Sequence, residues 1–296
     1  MKKVLKWIGI ILGGLVGLLA LALVVLYFIG SSRLNRSYDI SVESVDIPTD
    51  EAVIARGKHL AEAVTLCLAC HGDNLEGSVI DDEPSIAIIS APNLTSGRGG
   101  VAATYSDADW VRAIRHGVDP EGRGLIIMHS DVYHNLTKED LSATIAFLKS
   151  VPPVDNEIPY TRALPLGKIM VALGMFDVEG MPLIPAEVIE HNAPFLEKSQ
   201  EEESAAYGQY LVSITVCRMC HGPDLKGKPP LEPGAPPAPD ITTNGHLSGV
   251  SGQDFISLVR SRGAVESEHM PWDVYANMID EELSAIFLYI NSLNGE

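Results

Sequence analysis

The first thirty residues carry an apolar pattern unlike anything that follows. From Trp7 to Ile29 the chain runs 23 residues without a charge, just after Lys2, Lys3 and Lys6. At 1.5 Å per residue such a run crosses a hydrocarbon core of about 30 Å as a single helix. Beyond it the apolar positions turn periodic. Glu51 to Ala69 sets Val53, Leu60 and Val64 at helical spacing behind a capping Thr49-Asp50-Glu51 start, and Glu201-Glu202-Glu203-Ser204 opens a counterpart. Two more helices are predicted over Lys138 to Ser150, with Leu141, Ile145 and Leu148, and over Asp280 to Leu293, with Leu283, Ile286 and Ile290. Alternating β-branched runs are few, so the pattern predicts an all-α fold. Between the lobes, Val151 to Gln200 is studded with prolines (152, 153, 159, 165, 182, 185 and 194) and predicts an ordered strap over both lobes rather than a flexible tether. Its apolar Gly167 to Phe176 run predicts a short helix packed between the lobes or on a partner. Gly234 to Pro239 predicts a rigid loop beside the second lobe's pocket.

Self-comparison shows why the two halves pattern alike. Gly57-Lys58-His59-Leu60 answers Gly208-Gln209-Tyr210-Leu211, and Ala91-Pro92-Asn93-Leu94-Thr95 answers Ala238-Pro239-Asp240-Ile241-Thr242. Asp109 to Arg115 aligns with Asp254 to Arg260. Met128-x-x-Asp131-Val132-Tyr133, then Leu141-Ser142-Ala143, aligns with Met270-x-x-Asp273-Val274-Tyr275 and Leu283-Ser284-Ala285. The strongest shared element is Cys-x-x-Cys-His-Gly-x-x-Leu-x-Gly, at Cys67 to Gly77 (Cys67, Cys70, His71) and at Cys217 to Gly227 (Cys217, Cys220, His221), which uses every cysteine in the chain. This spacing is the covalent attachment signature of c-type haem: two thiols form thioethers on one porphyrin edge and the adjacent histidine reaches the iron. A thioredoxin-like pair needs no histidine. Zinc sites usually gather their second ligand pair within roughly 12 to 20 residues, whereas these motifs lie 150 positions apart.

On these residues the chain resembles two tandem class I cytochrome c modules, over residues 51–155 and 201–296, and is similar to the diheme and triheme cytochrome subunits of membrane-bound dehydrogenases. The resemblance implies that the first and last helices of each module cross closely, a glycine against an aromatic; Gly57 with Phe147 and Gly208 with Tyr289 match. It also implies a methionine as the second axial ligand, on a loop before the last helix, and Met128 and Met270 match that position. Met/His ligation raises the reduction potential. His129 and His134 compete with Met128 for the first iron, and His269 adjoins Met270. His59, His116, His191 and His246 are expected in surface or loop positions. Met170, Met175, Met181 and His191 have no repeat partner and are not expected to be ligands.

Charge and the N-terminal run complete the reading. Residues 51–155 carry 8 basic and 15 acidic side chains and residues 201–296 carry 5 and 14, within a net charge of −18. Nucleic acid is an improbable partner for such a surface. It either docks a basic redox partner or serves only solubility. The N-terminal lysines favour a cytoplasmic amino terminus, against which Arg33 and Arg36 weigh. Haem c attachment outside the bacterial cytoplasmic membrane, implied by the resemblance, puts the modules on the periplasmic or external side. Gly30-Ser31-Ser32 leaves cleavage of the segment open. The expected organisation is an anchor at 1–30, a linker at 31–50, haem domains at 51–155 and 201–296, and a connector at 156–200. The expected function is single-electron transfer by two covalently bound haem c groups. The redox partner is a dehydrogenase, a respiratory complex, or a small cytochrome or copper protein. The competing class is a diheme peroxidase-like or thiosulfate-oxidising enzyme, which needs unequal ligands in the two modules. A haem-based sensor would need a transmitter-like domain, and none is legible.

Overall fold

The computed structural model describes residues 2–196, 203–230, 234–261 and 270–293. The apolar run forms α1 (Lys2–Leu34), lipid-length and with its apolar window wholly unburied by the rest of the chain. The first module contains α2 (Glu51–His59), a π turn (Leu60–Val64), α3 (Cys67–His71), β1 (Ser78–Glu83), β2 (Ala87–Ala91), α4 (Asp107–His116), α5 (Ser130–Tyr133) and α6 (Lys138–Ser150). The connector supplies β3 (Arg162–Ala163) and α7 (Pro165–Ala172). The second module follows as α8 (Ala205–Ile214), α9 (Cys217–His221), α10 (Gly252–Arg260), α11 (Trp272–Tyr275) and α12 (Asp280–Ser292). The fold is mainly helical, with one addition: β1, β2 and β3 form a small antiparallel sheet in that order. The opening helix of the first module also breaks earlier than its periodicity predicts, because Thr65 N–H bonds the Leu60 carbonyl at 2.8 Å, a π turn's reach, and Leu66 is left-handed.

The helix starts are written locally. Ser106 and Ser251 each accept from the backbone N–H of an aspartate three residues on, Asp109 or Asp254, which reciprocates, so α4 and α10 begin with the same capping box. Thr137 caps α6 and Ser204 caps α8. In each module the first and last helices then cross with backbone against backbone. A Cβ on Gly57 would overlap the Ala143 carbonyl, and one on Gly208 the Ala285 carbonyl, with Phe147 and Tyr289 alongside. The mid-helix glycine expectation therefore holds, for a steric reason.

The modules share one continuous apolar core, from Leu60, Val64 and Trp110 through Leu141 and Ile145 to Leu211, Ile214 and Leu283. Its polar keystone lies where the two crossings face each other. Arg56 donates to Asp140 from Nε (3.1 Å) and Nη2 (3.2 Å) and to Glu282 from Nη1 (3.0 Å). His59 Nε2 lies 2.8 Å from Glu282, and Tyr210 OH donates to Asp140 at 2.7 Å. Asp140 and Glu282 stand at the same position of the repeat, three residues before Ala143 and Ala285, and are 3% and 0% exposed. Each carboxylate thus meets the other module's first helix. Burial alone would raise the Glu282 pKa, but the His59 hydrogen bond and the Arg56 charge hold it below the ordinary carboxylate value.

The connector wraps the first module and also reaches the second, where Lys228 Nζ donates to the Glu179 carbonyl and Gly180 lies beside Met219. Val154 and Asn156 accept from Asn93 and Thr95 side chains, and β3 extends the sheet. The α7 helix packs on the end of α1. Leu183, Ile184 and Ala186 then form a second apolar cluster with Val118 and Val171, flanked by Leu34, Tyr38 and Ile127. Two histidines depart from their expected surface positions. His59 serves the module interface, and His116 is 3% exposed beneath the connector, its Nδ1 3.1 Å from that of His191. Burial and the neighbouring His191 push the His116 pKa down to about 3. His246 is exposed, as expected.

Gly57→Ala and Gly208→Ala each force the crossing apart and are expected to cost about 1–3 kcal/mol, read as a lowered midpoint of thermal unfolding; an unchanged midpoint contradicts the contact. Arg56→Met leaves two buried carboxylates short of their cation and is expected to cost about 3–5 kcal/mol in denaturant unfolding. Because the Glu282 pKa is depressed in the folded state, its contribution is full above about pH 5 and is lost as pH falls through the folded value. Glu282→Gln should therefore remove part of the native protein's acid-side loss of stability, which paired urea titrations across pH 3–7 would detect.

Candidate haem sites

Both Cys-x-x-Cys-His segments fold into one short helix with the same exit. Gly72 and Gly222 share φ +82° with ψ +162° and +164°, a conformation that L side chains rarely adopt. This explains the glycine after each histidine. Leu75 and Leu225 follow, left-handed and buried, and the chain closes with Gly77 N–H on the His71 carbonyl (2.6 Å) and Gly227 N–H on the His221 carbonyl (2.9 Å). The Leu75 carbonyl then accepts from Leu94 N–H at 2.8 Å, and Leu225 from Ile241 N–H at 3.0 Å. Those bonds bring the second repeated block under the histidines. His71 Nδ1 donates to the Pro92 carbonyl at 2.8 Å, and His221 Nδ1 to the Pro239 carbonyl at 2.9 Å. A proton committed to Nδ1 fixes the tautomer and leaves Nε2 with a free lone pair for a metal.

The electrostatics agree with that role. Burial lowers the pKa of both histidines, against the Pro92 and Pro239 hydrogen bonds, so each imidazole is held neutral. Burial raises all four thiols, and none is in a disulfide. Cys67 Sγ lies 3.3 Å from Thr65 Oγ1, and Thr215 Oγ1 donates to Cys217 Sγ at 3.1 Å. Thiols held protonated and apart, beside a neutral imidazole of fixed tautomer, form a donor set that fits haem c.

The methionines sit on matched turns, partly buried against the core. Ser130 N–H bonds the Met128 carbonyl at 2.7 Å and Trp272 N–H bonds the Met270 carbonyl at 2.8 Å, each pair leading directly into α5 or α11. The first turn is braced: Ile127, just before Met128, is a β-branched residue at φ +64°, and its N–H donates to the Leu183 carbonyl of the connector at 3.0 Å. His134 is directed elsewhere, with Nδ1 on the Arg115 carbonyl at 3.1 Å and its ring 5.9 Å from that of His116. His129 is half-buried, and burial lowers its pKa. His269 lies outside the described residues.

Some residues that shape the sites escaped the sequence reading. Tyr133 OH donates to the Thr65 carbonyl, and Tyr133 and Tyr275 are buried close enough to their own cysteine pairs that those thiols, after burial itself, help to raise their pKa values. Tyr275 also feels Tyr133, so the two sites meet near the module boundary, where α5 touches α8 and α11 touches the π turn. The signal was present: a tyrosine ends both Met-x-x-Asp-Val-Tyr repeats, and a threonine stands two residues before each motif.

The sequence pattern of the Cytochrome c family matches this chain twice, over residues 54–152 and 205–294. The chain belongs to the cytochrome c family. Its two cytochrome c domains carry two covalently bound haem c groups. The fructose dehydrogenase cytochrome subunit of Gluconobacter japonicus is 27% identical over 264 residues, 81% of this chain and 52% of that protein. The gluconate 2-dehydrogenase cytochrome c subunit of Pantoea cypripedii is 30% identical over 190 residues, 60% of this chain and 40% of that protein. The cytochrome c subunit of the quinone-dependent alcohol dehydrogenase of Gluconacetobacter polyoxogenes is 25% identical over 282 residues, 82% of this chain and 56% of that protein. The chain thus spans about half the length of these relatives.

Proposed function

We propose that this diheme cytochrome c is a membrane-anchored electron carrier serving a dehydrogenase, and that it moves single electrons without itself performing substrate chemistry. The observation that carries the reading is the equivalence of the two sites: the same helix, the same glycine exit, the same His–Pro bond and the same methionine turn occur twice. An enzyme with one catalytic haem needs one site built differently. The similar proteins are cytochrome subunits of dehydrogenases, which supports a dehydrogenase as electron donor.

In this reading Cys67 and Cys70 hold the first haem and Cys217 and Cys220 the second. His71 and His221 would each offer a neutral Nε2 to the iron, and Met128 and Met270 a thioether. Haem c bound in this way supplies a one-electron ferric/ferrous couple, at a potential raised by Met/His ligation. The chain's own residues orient and insulate it. The Pro92 and Pro239 carbonyls fix the imidazoles, and Leu75, Leu225, Tyr133 and Tyr275 exclude water. Trp272 Nε1, two residues past Met270, is buried without a partner among the described residues and is a donor available to a haem carboxylate. The matched turns, and the place of the His134 ring beside His116, support Met128 over histidine as the first site's ligand.

The reading includes a retained single-pass anchor with the domains on the periplasmic side of a bacterial cytoplasmic membrane. Gly30, within the one small-residue stretch that resembles a cleavage site, is buried against the Lys168 carbonyl. Arg33 reaches Asp177 and Glu187 at 2.6 Å each. Removal of the segment would strip the connector of the Gly30 and Tyr27 contacts with Lys168 and leave Arg33 at a new chain end. Exposed Asp81, Asp82 and Glu83 along β1 contribute to an acidic face suited to a basic redox partner, a respiratory complex, small cytochrome or copper protein.

Met128→Ala and Met270→Ala are each expected to remove half of the methionine-to-iron absorption band of the oxidised holoprotein, and the double variant all of it. A band unchanged by both substitutions rejects the assignment. Steady peroxide turnover by the native holoprotein would reject the carrier reading in favour of the enzyme.

A further inference from the structure

The apolar stretch of the connector meets α1 where the helix leaves its apolar run. Gly30 is the first residue past Ile29, and a Cβ there would overlap the Lys168 carbonyl and crowd Ala172 N, so α7 lies directly against that level of α1. On its other inward side, Gly167 packs on the Ile86 carbonyl at the β1–β2 turn, and Val171 is buried in the second apolar cluster. The remaining face repeats at i, i+3, i+4 and i+7 through Leu166, Ile169, Met170 and Leu173, all apolar. Leu166 is 46% exposed, Leu173 57%, and Met175 just beyond 60%.

Polar groups mark the same level. Lys168 Nζ sits 4.9 Å from the Tyr27 ring centre and reaches Tyr27 OH and Ser31 Oγ at 3.4 Å. An open cleft of about 790 Å³ on α1 changes there from Val25, Phe28 and Ile29 to Ser32 and Arg36. Tyrosine, and lysine or arginine lying with stem in apolar surroundings and head in polar ones, are the residues of a bilayer boundary. The exposed apolar face of α7 is therefore continuous with the lipid-facing surface of α1 and ends at the same polar rim.

We propose that α7, with Leu173 and Met175, is an interfacial helix whose Leu166–Ile169–Met170–Leu173 face lies in the outer boundary of the bilayer that α1 crosses. The proposal rests on the retained-anchor reading and adds a second membrane contact to it. Lipid is the occupant because the face adjoins α1 with no polar break, and because Lys168 and Arg36 stand where phosphates would be. The consequence is orientational. The second apolar cluster ties α7 and Leu34 to Ile127, the residue before Met128, so the first module is held against the membrane at a fixed attitude.

The test uses the full-length, haem-loaded, oxidised protein, with relaxation in the absence of either reagent as the baseline, in liposomes of phosphatidylcholine with phosphatidylglycerol. Nitroxide labels are placed singly through Val16→Cys, Leu173→Cys and Tyr160→Cys, the last a residue that is 92% exposed. Relaxation by oxygen is compared with relaxation by a water-soluble nickel complex. Oxygen should dominate at 16 and 173, and nickel at 160. Nickel dominance at 173 with oxygen dominance at 16 overturns the interfacial helix and leaves the anchor standing. Protection from both reagents at 173, with oxygen dominance at 16, overturns it in favour of a protein surface covering that face. Nickel dominance at 16 removes the anchor reading, and the proposal with it.

Discussion

Backbone touches backbone where the first and last helices of each module cross, and only a glycine permits it. Gly57 on Ala143 and Gly208 on Ala285 are the same contact made twice, and much of the architecture follows from them. The close crossing brings Asp140 and Glu282, one turn before those alanines, to the module boundary, where the other module's first helix supplies Arg56 and His59 or Tyr210. A glycine in a helix costs about 1 kcal/mol of helix propensity. Here that cost is offset by a crossing that also builds the interface. Buried ion pairs gain little net stability over apolar packing. What this one adds is a specific way to dock two similar domains, because Glu282 meets its cations only on the opposite module's first helix and Asp140 takes a further bond from Tyr210 across the boundary.

That docking gives the site arrangement its meaning for electron transfer. The methionine-turn helices α5 and α11 each lean on the other module, and Tyr133 and Tyr275 lie within electrostatic reach of each other. Two redox sites in one continuous core, each insulated from water, form a path whose separation does not vary with linker motion. The connector braces the methionine turn of the first site, through Leu183 on Ile127, and meets the second site at Met219 and Lys228 instead, so the equivalent sites have inequivalent surroundings. Unequal bracing is a physical source of unequal potentials.

Much of this was legible in the residues. The motif, the repeat, the crossing glycines and the closing helices all rest on local chemistry, and Pro92 and Pro239 were already flagged as repeated before their carbonyls had a purpose. What could not be read was long-range. His59 and Arg56 look like the solvated end of an amphipathic helix until Glu282, more than two hundred residues away, is brought beside them. His116 looks exposed until the connector covers it. The connector's prolines announce order without saying against what, and the partner of its apolar run is the N-terminal helix. The short sheet was missed because Val79 and Ile80 stand out in solvent on an edge strand, with no alternation of buried and exposed positions to reveal them.

Two equivalent sites, each with both axial positions filled by the protein as proposed, have a direct consequence for the spin state of the irons. The most direct measurement is low-temperature electron paramagnetic resonance of the oxidised, full-length, haem-loaded protein, integrated against protein concentration. Two low-spin ferric signals summing to two spins per chain are predicted. A high-spin ferric signal of one spin per chain would mean that one iron has an open position, and would contradict the account.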